Sequence, residues 1–165
     1  MGAADPPARR EPHRCYSDKR METQKIRILL VDDEESDLIV ARQTLESDGY
    51  TVSVAGDFQE ALDAFEAARG AVELLIIDIS LPGGNGCDLV MAIWKQQANV
   101  PVLFVSGHVG AEVCRYYGLD ISDSHFLRKP FSPEQLKESV RHVLESTEPL
   151  PKLYPVKVRT SSTNP

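Results

Sequence analysis

Residues 74–86 read LLIIDISLPGGNG. Within 74–79 only Asp78 is charged, and no polar residue alternates with the apolar ones before it. A strand with one wet face alternates. A continuous apolar run suits a strand covered on both faces, as in a parallel sheet between layers of helices. The run then passes into LPGGNG, whose proline and glycines make a loop. Two other stretches share this character, IRILLV at 26–31 and VLFV at 102–105. With weaker candidates at 51–55 and 125–127, they give five strands.

Helix-length amphipathic stretches follow them in register, at about 36–47, 58–68, 86–96, 110–117 and 133–145. Gly49 lies just past the first, and Asp57 with Glu60 opens the second. Ser132, Pro133 and Gln135 supply the fifth with an N-cap, a proline at the first helical position and a capping-box partner. In that stretch Leu136, Val140, Val143 and Leu144 form an apolar stripe opposite Glu134, Lys137, Glu138 and Arg141. Alternation of this kind predicts an α/β fold: a doubly wound five-stranded parallel sheet with five helices.

Of the 165 residues, 42% are apolar and 26% charged, which suits one globular domain. The net charge of -7 is uneven: residues 25–146 hold 10 basic and 20 acidic groups, and both ends are slightly basic. Direct nucleic-acid binding wants a basic footprint on the folded part, so it is not expected. Cys15, Cys87 and Cys114 are odd in number and far apart, which suggests reduced thiols in a cytoplasmic protein rather than disulfides or a zinc ribbon. No apolar run is long enough to span a bilayer, and the N-terminus has no apolar signal region. Residues 1–24, rich in Pro, Arg and Ala, read as a disordered extension, with Met21 as an alternative start. Residues 147–165, broken by Pro149, Pro151 and Pro155, read as a flexible tail, which leaves 25–146 as the domain.

In an open parallel sheet the ligand site lies beyond the carboxyl ends of the strands. There the first strand ends in Asp32-Asp33, the third in Asp78, the fourth in Ser106 and the fifth in Lys129-Pro130. Alone, an acidic pair after a strand is an ordinary solvated helix start, and a Lys-Pro is an ordinary turn. Three acids, a hydroxyl and a lysine at one edge of one sheet are harder to dismiss. At an effective dielectric of about 20, each close carboxylate pair costs up to about 4 kcal/mol at ~4 Å, so the cluster calls for a cation. All-oxygen ligands without His or Cys select a hard ion, and few protein ligands with several waters suit Mg2+ better than Ca2+. Lys129 adds a mobile positive charge.

The pieces ILLVDDEES, LLIIDISLPGGNG, VLFVSGH and FLRKPFSPEQL resemble, in order and spacing, the receiver domain of two-component response regulators, including receivers of hybrid histidine kinases. The resemblance covers about residues 25–146. It implies a flavodoxin-like sheet of strand order 2-1-3-4-5 and a phosphoryl-accepting signalling switch rather than a turnover enzyme. Asp78 would accept the phosphoryl group from a histidine kinase or histidine phosphotransfer protein. Asp33 and Asp78 would bind Mg2+ directly, Asp32 through water, and the carbonyl of Ser80 would complete the protein ligands. Ser106 would be the switch hydroxyl, Phe126 the aromatic that moves with it, and Lys129 the partner of the phosphoryl oxygens, before a cis peptide bond to Pro130. Output would pass to a downstream protein or through a homodimer. Asn85 stands where the family usually has an acid, and Ser106 where it usually has Thr.

Two other classes compete. A phosphohydrolase of the haloacid dehalogenase type carries D-x-D after its first strand, whereas this strand ends in D-D. A flavodoxin-like cofactor binder wants a Ser/Thr/Gly phosphate loop there, and VDDEES would repel phosphate. His108 is either a surface loop residue or a group lying over the phosphoryl site. Cys87 reads as a small helix hydrophobe and Trp94 as packing; Leu38 and Ile39 could face a partner or join Ala41 and Leu45 in the core. The residues leave two arrangements open, a stand-alone receiver or part of a longer hybrid kinase.

Overall fold

Five parallel strands form the central sheet: β1 (Arg27–Val31), β2 (Thr51–Ala55), β3 (Leu74–Asp78), β4 (Val102–Ser106) and β5 (Phe126–Arg128). Their order is β2-β1-β3-β4-β5, the expected topology. The helices are α1 (Glu35–Ser47), α2 (Phe58–Ala67), α3 (Gly86–Gln96), α4 (Ala111–Tyr116) and α5 (Pro133–Glu145). The structure, a computed structural model, describes residues 25–107, 111–146 and 152–153. The 1–24 extension, His108 and the rest of the tail lie outside the described residues.

The apolar runs are buried on both faces because the strand period is two. From β3, Leu74 and Ile76 join Ile28, Leu30 and Leu103 in one core layer, which also takes Ala41 and Leu45 of α1 and Leu136, Val140 and Val143 of α5. Leu75 and Ile77 face the other way, with Leu29, Val31 and Phe104, against Phe65 of α2, Leu89 and Ile93 of α3 and Cys114 of α4. Trp94 donates Nε1–H to the Val100 carbonyl at 2.9 Å, a packing role with its one polar atom satisfied.

Helix ends explain the boundaries. Ser132 and Gln135 form the full capping box of α5, and Asp57 accepts from the Glu60 amide at 2.8 Å. Asn85 caps α3 by accepting from the Asp88 amide at 2.8 Å. Gly49, at φ 98°, closes α1 in the left-handed region. The last strand starts one residue later than predicted because Asp123–His125 forms a 3-10 turn. Two small pairings lie outside the sheet: Ser80–Leu81 with Gly84–Asn85, and Leu119–Asp120 with Lys152–Leu153 of the tail, both antiparallel.

Candidate functional site

Sheet register assembles the site. Val31 pairs with Ile77, so Asp32 and Asp78 emerge side by side on the two central strands. Asp78 itself pairs with Val105, which puts Ser106 just beyond it. Lys129 follows β5, and its amide donates to the Ser106 carbonyl at 2.9 Å. Asp32, Asp78 and Ser106 are buried, while Asp33 and Ser80 are exposed.

Each buried carboxylate divides its work between its two oxygens. Asp32 Oδ1 accepts from the Glu34 amide at 2.9 Å, and Asp78 Oδ1 accepts from the Ser80 amide at 2.8 Å. The other oxygens share one ammonium: Lys129 Nζ lies 2.5 Å from Asp32 Oδ2 and 2.9 Å from Asp78 Oδ2. Asp37 Oδ2 of α1 approaches the same nitrogen at 3.0 Å. Burial pushes the Asp32 carboxyl above its ordinary value, and the bonds from Lys129 and the Glu34 amide only partly oppose it. For Lys129, burial acts downward, yet hydrogen bonds to Asp32, Asp78 and Asp37 outweigh it and hold the ammonium well above the ordinary lysine value.

One oxygen each from Asp32, Asp33 and Asp78 lies within 4.8 Å of the others. Around an octahedral ion with bonds of about 2.1 Å, ligand oxygens stand roughly 3 to 4 Å apart, so small side-chain rotations would let these three hold a hard cation. The Lys129–Pro130 peptide is cis. Phe126 is half-buried and stacks on Phe104 with ring centroids 5.9 Å apart. Leu38 packs into the core on the α1 and α5 side, whereas Ile39 and Val40 are exposed at 49% and 56%.

The sequence reading missed Asp37, whose one signal was its place four residues after Asp33. It also missed the capping role of Asn85, which was legible as an Asn directly before an amphipathic stretch.

A receiver-like fold and this set of acids and lysine meet in one family. The response regulator receiver domain model matches residues 28–141, and the chain belongs to that family. It is thus a receiver domain of two-component systems, a phosphorylatable module. The transcriptional regulatory protein CpxR of Escherichia coli (strain K12) is 33% identical over 118 residues, 72% of this chain and 49% of CpxR. The sensor kinase CckA of Brucella abortus (strain 2308) is 33% identical over 121 residues, 73% of this chain and 13% of CckA. The solved non-phosphorylated HemR receiver domain from Leptospira biflexa matches with a TM-score of 0.63 at 32% identity, over 76% of this chain and 98% of that one. The chain therefore spans about half the length of CpxR and a small part of CckA. Among the described residues no helix is long and apolar enough to cross a membrane.

Proposed function

We propose that this chain accepts a phosphoryl group on Asp78 at a Mg2+ site of Asp32, Asp33, Asp78 and the Ser80 carbonyl, and acts as a signalling switch rather than a turnover enzyme. The observation that carries this reading is the bridge from Lys129 to the paired carboxylates of Asp32 and Asp78 at the carboxyl edge of the central strands. The donor is the phosphohistidine of a histidine kinase or histidine phosphotransfer protein. An Asp78 oxygen forms the new bond to phosphorus as the bond to the histidine nitrogen breaks, and the imidazole keeps that electron pair. Bound Mg2+ supplies charge compensation for the phosphoryl oxygens.

Lys129 follows those oxygens, the Ser106 hydroxyl bonds to them, and Phe126 moves with Ser106. The face of α4, β5 and α5 thereby changes for a downstream protein or a second copy of the chain. The exposed Ile39 and Val40 beside the site favour an apolar contact with the donor protein. The acidic balance of residues 25–146 favours protein partners over direct DNA contact, in the cytoplasm.

Intact-mass analysis after incubation with acetyl phosphate and Mg2+ tests the assignment. Wild type should gain one phosphoryl group, and both Asp78→Asn and a chelator should prevent it. Undiminished labelling of Asp78→Asn would remove Asp78 as the acceptor.

A further inference from the structure

Lys129 has three N–H donors, and three carboxylates surround them. Asp32 and Asp78 belong to the proposed metal site, but Asp37 does not. It stands in the first turn of α1, its side chain 40% exposed against 8% and 9% for the other two. With Glu34, Gly107, Pro130 and Phe131 it lines a cleft of about 520 Å³ that opens beside Lys129.

A cation entering among Asp32, Asp33 and Asp78 meets an ammonium already seated on two of the three. Like charges repel at such range, so Lys129 must loosen its hold on Asp32 and Asp78. With no other partner it would be left uncompensated in a partly buried place. Asp37 offers a carboxylate at a distance the lysine already spans.

We propose that Asp37 is a positioning residue for Lys129: the resting partner that takes the ammonium when a divalent cation enters, easing metal loading and keeping the lysine near Asp78. The inference rests on the Mg2+-dependent phosphoacceptor reading above. It assigns Asp37 no contact with the metal or with the phosphoryl group.

The test is Mg2+ affinity, measured by calorimetry on the full chain for wild type, Asp37→Asn, Asp37→Glu, Lys129→Met and the Asp37→Asn/Lys129→Met double variant. Asp37→Asn should weaken Mg2+ binding roughly three- to tenfold, the scale expected for residues in direct contact. Asp37→Glu, which keeps the charge, should recover most of the affinity. In the Lys129→Met background, Asp37→Asn should change affinity by less than about twofold, because the residue it acts through is gone. An equal loss in both backgrounds would make Asp37 a through-space charge and overturn the proposal, as would no loss in the lysine-containing protein. Acetyl phosphate labelling gives a second readout: Asp37→Asn should be slower at limiting Mg2+ and match wild type at saturation. A variant slower at saturation, or faster at every Mg2+ concentration, overturns it. Wild type that binds no Mg2+ would fail the site reading itself, whereas normal Mg2+ binding insensitive to Asp37 fails only this inference.

Discussion

A carboxylate taken out of water needs a compensating charge, hydrogen bonds or a proton, and Asp32 shows what happens when one ammonium is shared. Its folded value lies above the ordinary one because burial outweighs Lys129. The folded chain therefore takes up a proton at a higher pH than the unfolded chain does, and stability is gained as pH falls through the raised value. The gain is complete near the unfolded value of about 3.9. Thermal melts of metal-free protein should accordingly show a rise on mild acidification that is shallower in Asp32→Asn; an identical slope would mean that Asp32 carries no such strain. Lys129 gives a pH dependence of the same direction, but there the charged form is the stabilising one. Its raised value contributes stability that is full below about 10.4 and lost at higher pH. Removing it by Lys129→Met leaves Asp32 and Asp78 uncompensated and should destabilise the metal-free protein by roughly 3 kcal/mol, read from urea midpoints. Asp32, Asp78, Ser106 and Lys129 were legible in the sequence because each follows a strand, and strand ends converge on one edge. Asp37 was not, because an acid in the first turn of a helix is ordinarily explained by the helix dipole alone.

At the scale of elements, α3 starts so close to β3 that one residue sets their spacing. A methyl group on Gly86 would lie 2.3 Å from the Asp78 carbonyl oxygen, 2.8 Å from Ile77 Cγ2 and 3.0 Å from the Ile79 Cα. Two of these neighbours are backbone, so no rotamer change relieves the contact. Gly86→Ala should lower stability by roughly 1 to 3 kcal/mol and reduce phosphoacceptance with it, since the peptide it strikes carries Asp78. Unchanged denaturation and labelling in that variant would show that α3 can shift freely. Between α3 and α4, Cys87 and Cys114 bury both thiols with Sγ atoms 3.1 Å apart. The hydrogen bond to Cys114, with burial, pushes the Cys87 thiol up, and since both side chains are fully buried, thiol reagents should reach neither residue until the chain is unfolded. The glycine and proline of LPGGNG could be read as a loop, yet the demand at Gly86 was hidden because it comes from packing across two elements. Boundaries of α3 and α5 were read correctly from apolar periodicity and, for α5, its capping residues. The start of β5 was misread because the 3-10 turn before it has no period of its own.

The whole molecule joins an ordinary two-layered core to a surplus of negative charge. Residues 25–146 carry twice as many acidic as basic groups, and three of the acids crowd the carboxyl edge of the sheet. Asp33 is exposed and has no ion pair among the described residues, so it adds repulsion there without a compensating cation of its own. Removing its charge by Asp33→Asn should stabilise the metal-free chain by about 1 kcal/mol, or roughly 3 to 5 °C in melting temperature. Magnesium should act unequally on the two proteins. It binds the folded state alone and stabilises wild type by RT ln(1 + [L]/Kd), about 1.4 kcal/mol at ten times Kd, while the Asn variant, lacking one ligand, should respond far less. The melting curves of the two should therefore cross between chelator and millimolar Mg2+, with wild type lower in the first and higher in the second. Calcium, larger and less demanding in geometry, should stabilise wild type yet support acetyl phosphate labelling poorly. If Asp33→Asn melts below wild type in chelator and keeps the full Mg2+ response, Asp33 is a helix-start residue and the three-acid cluster is not the metal site.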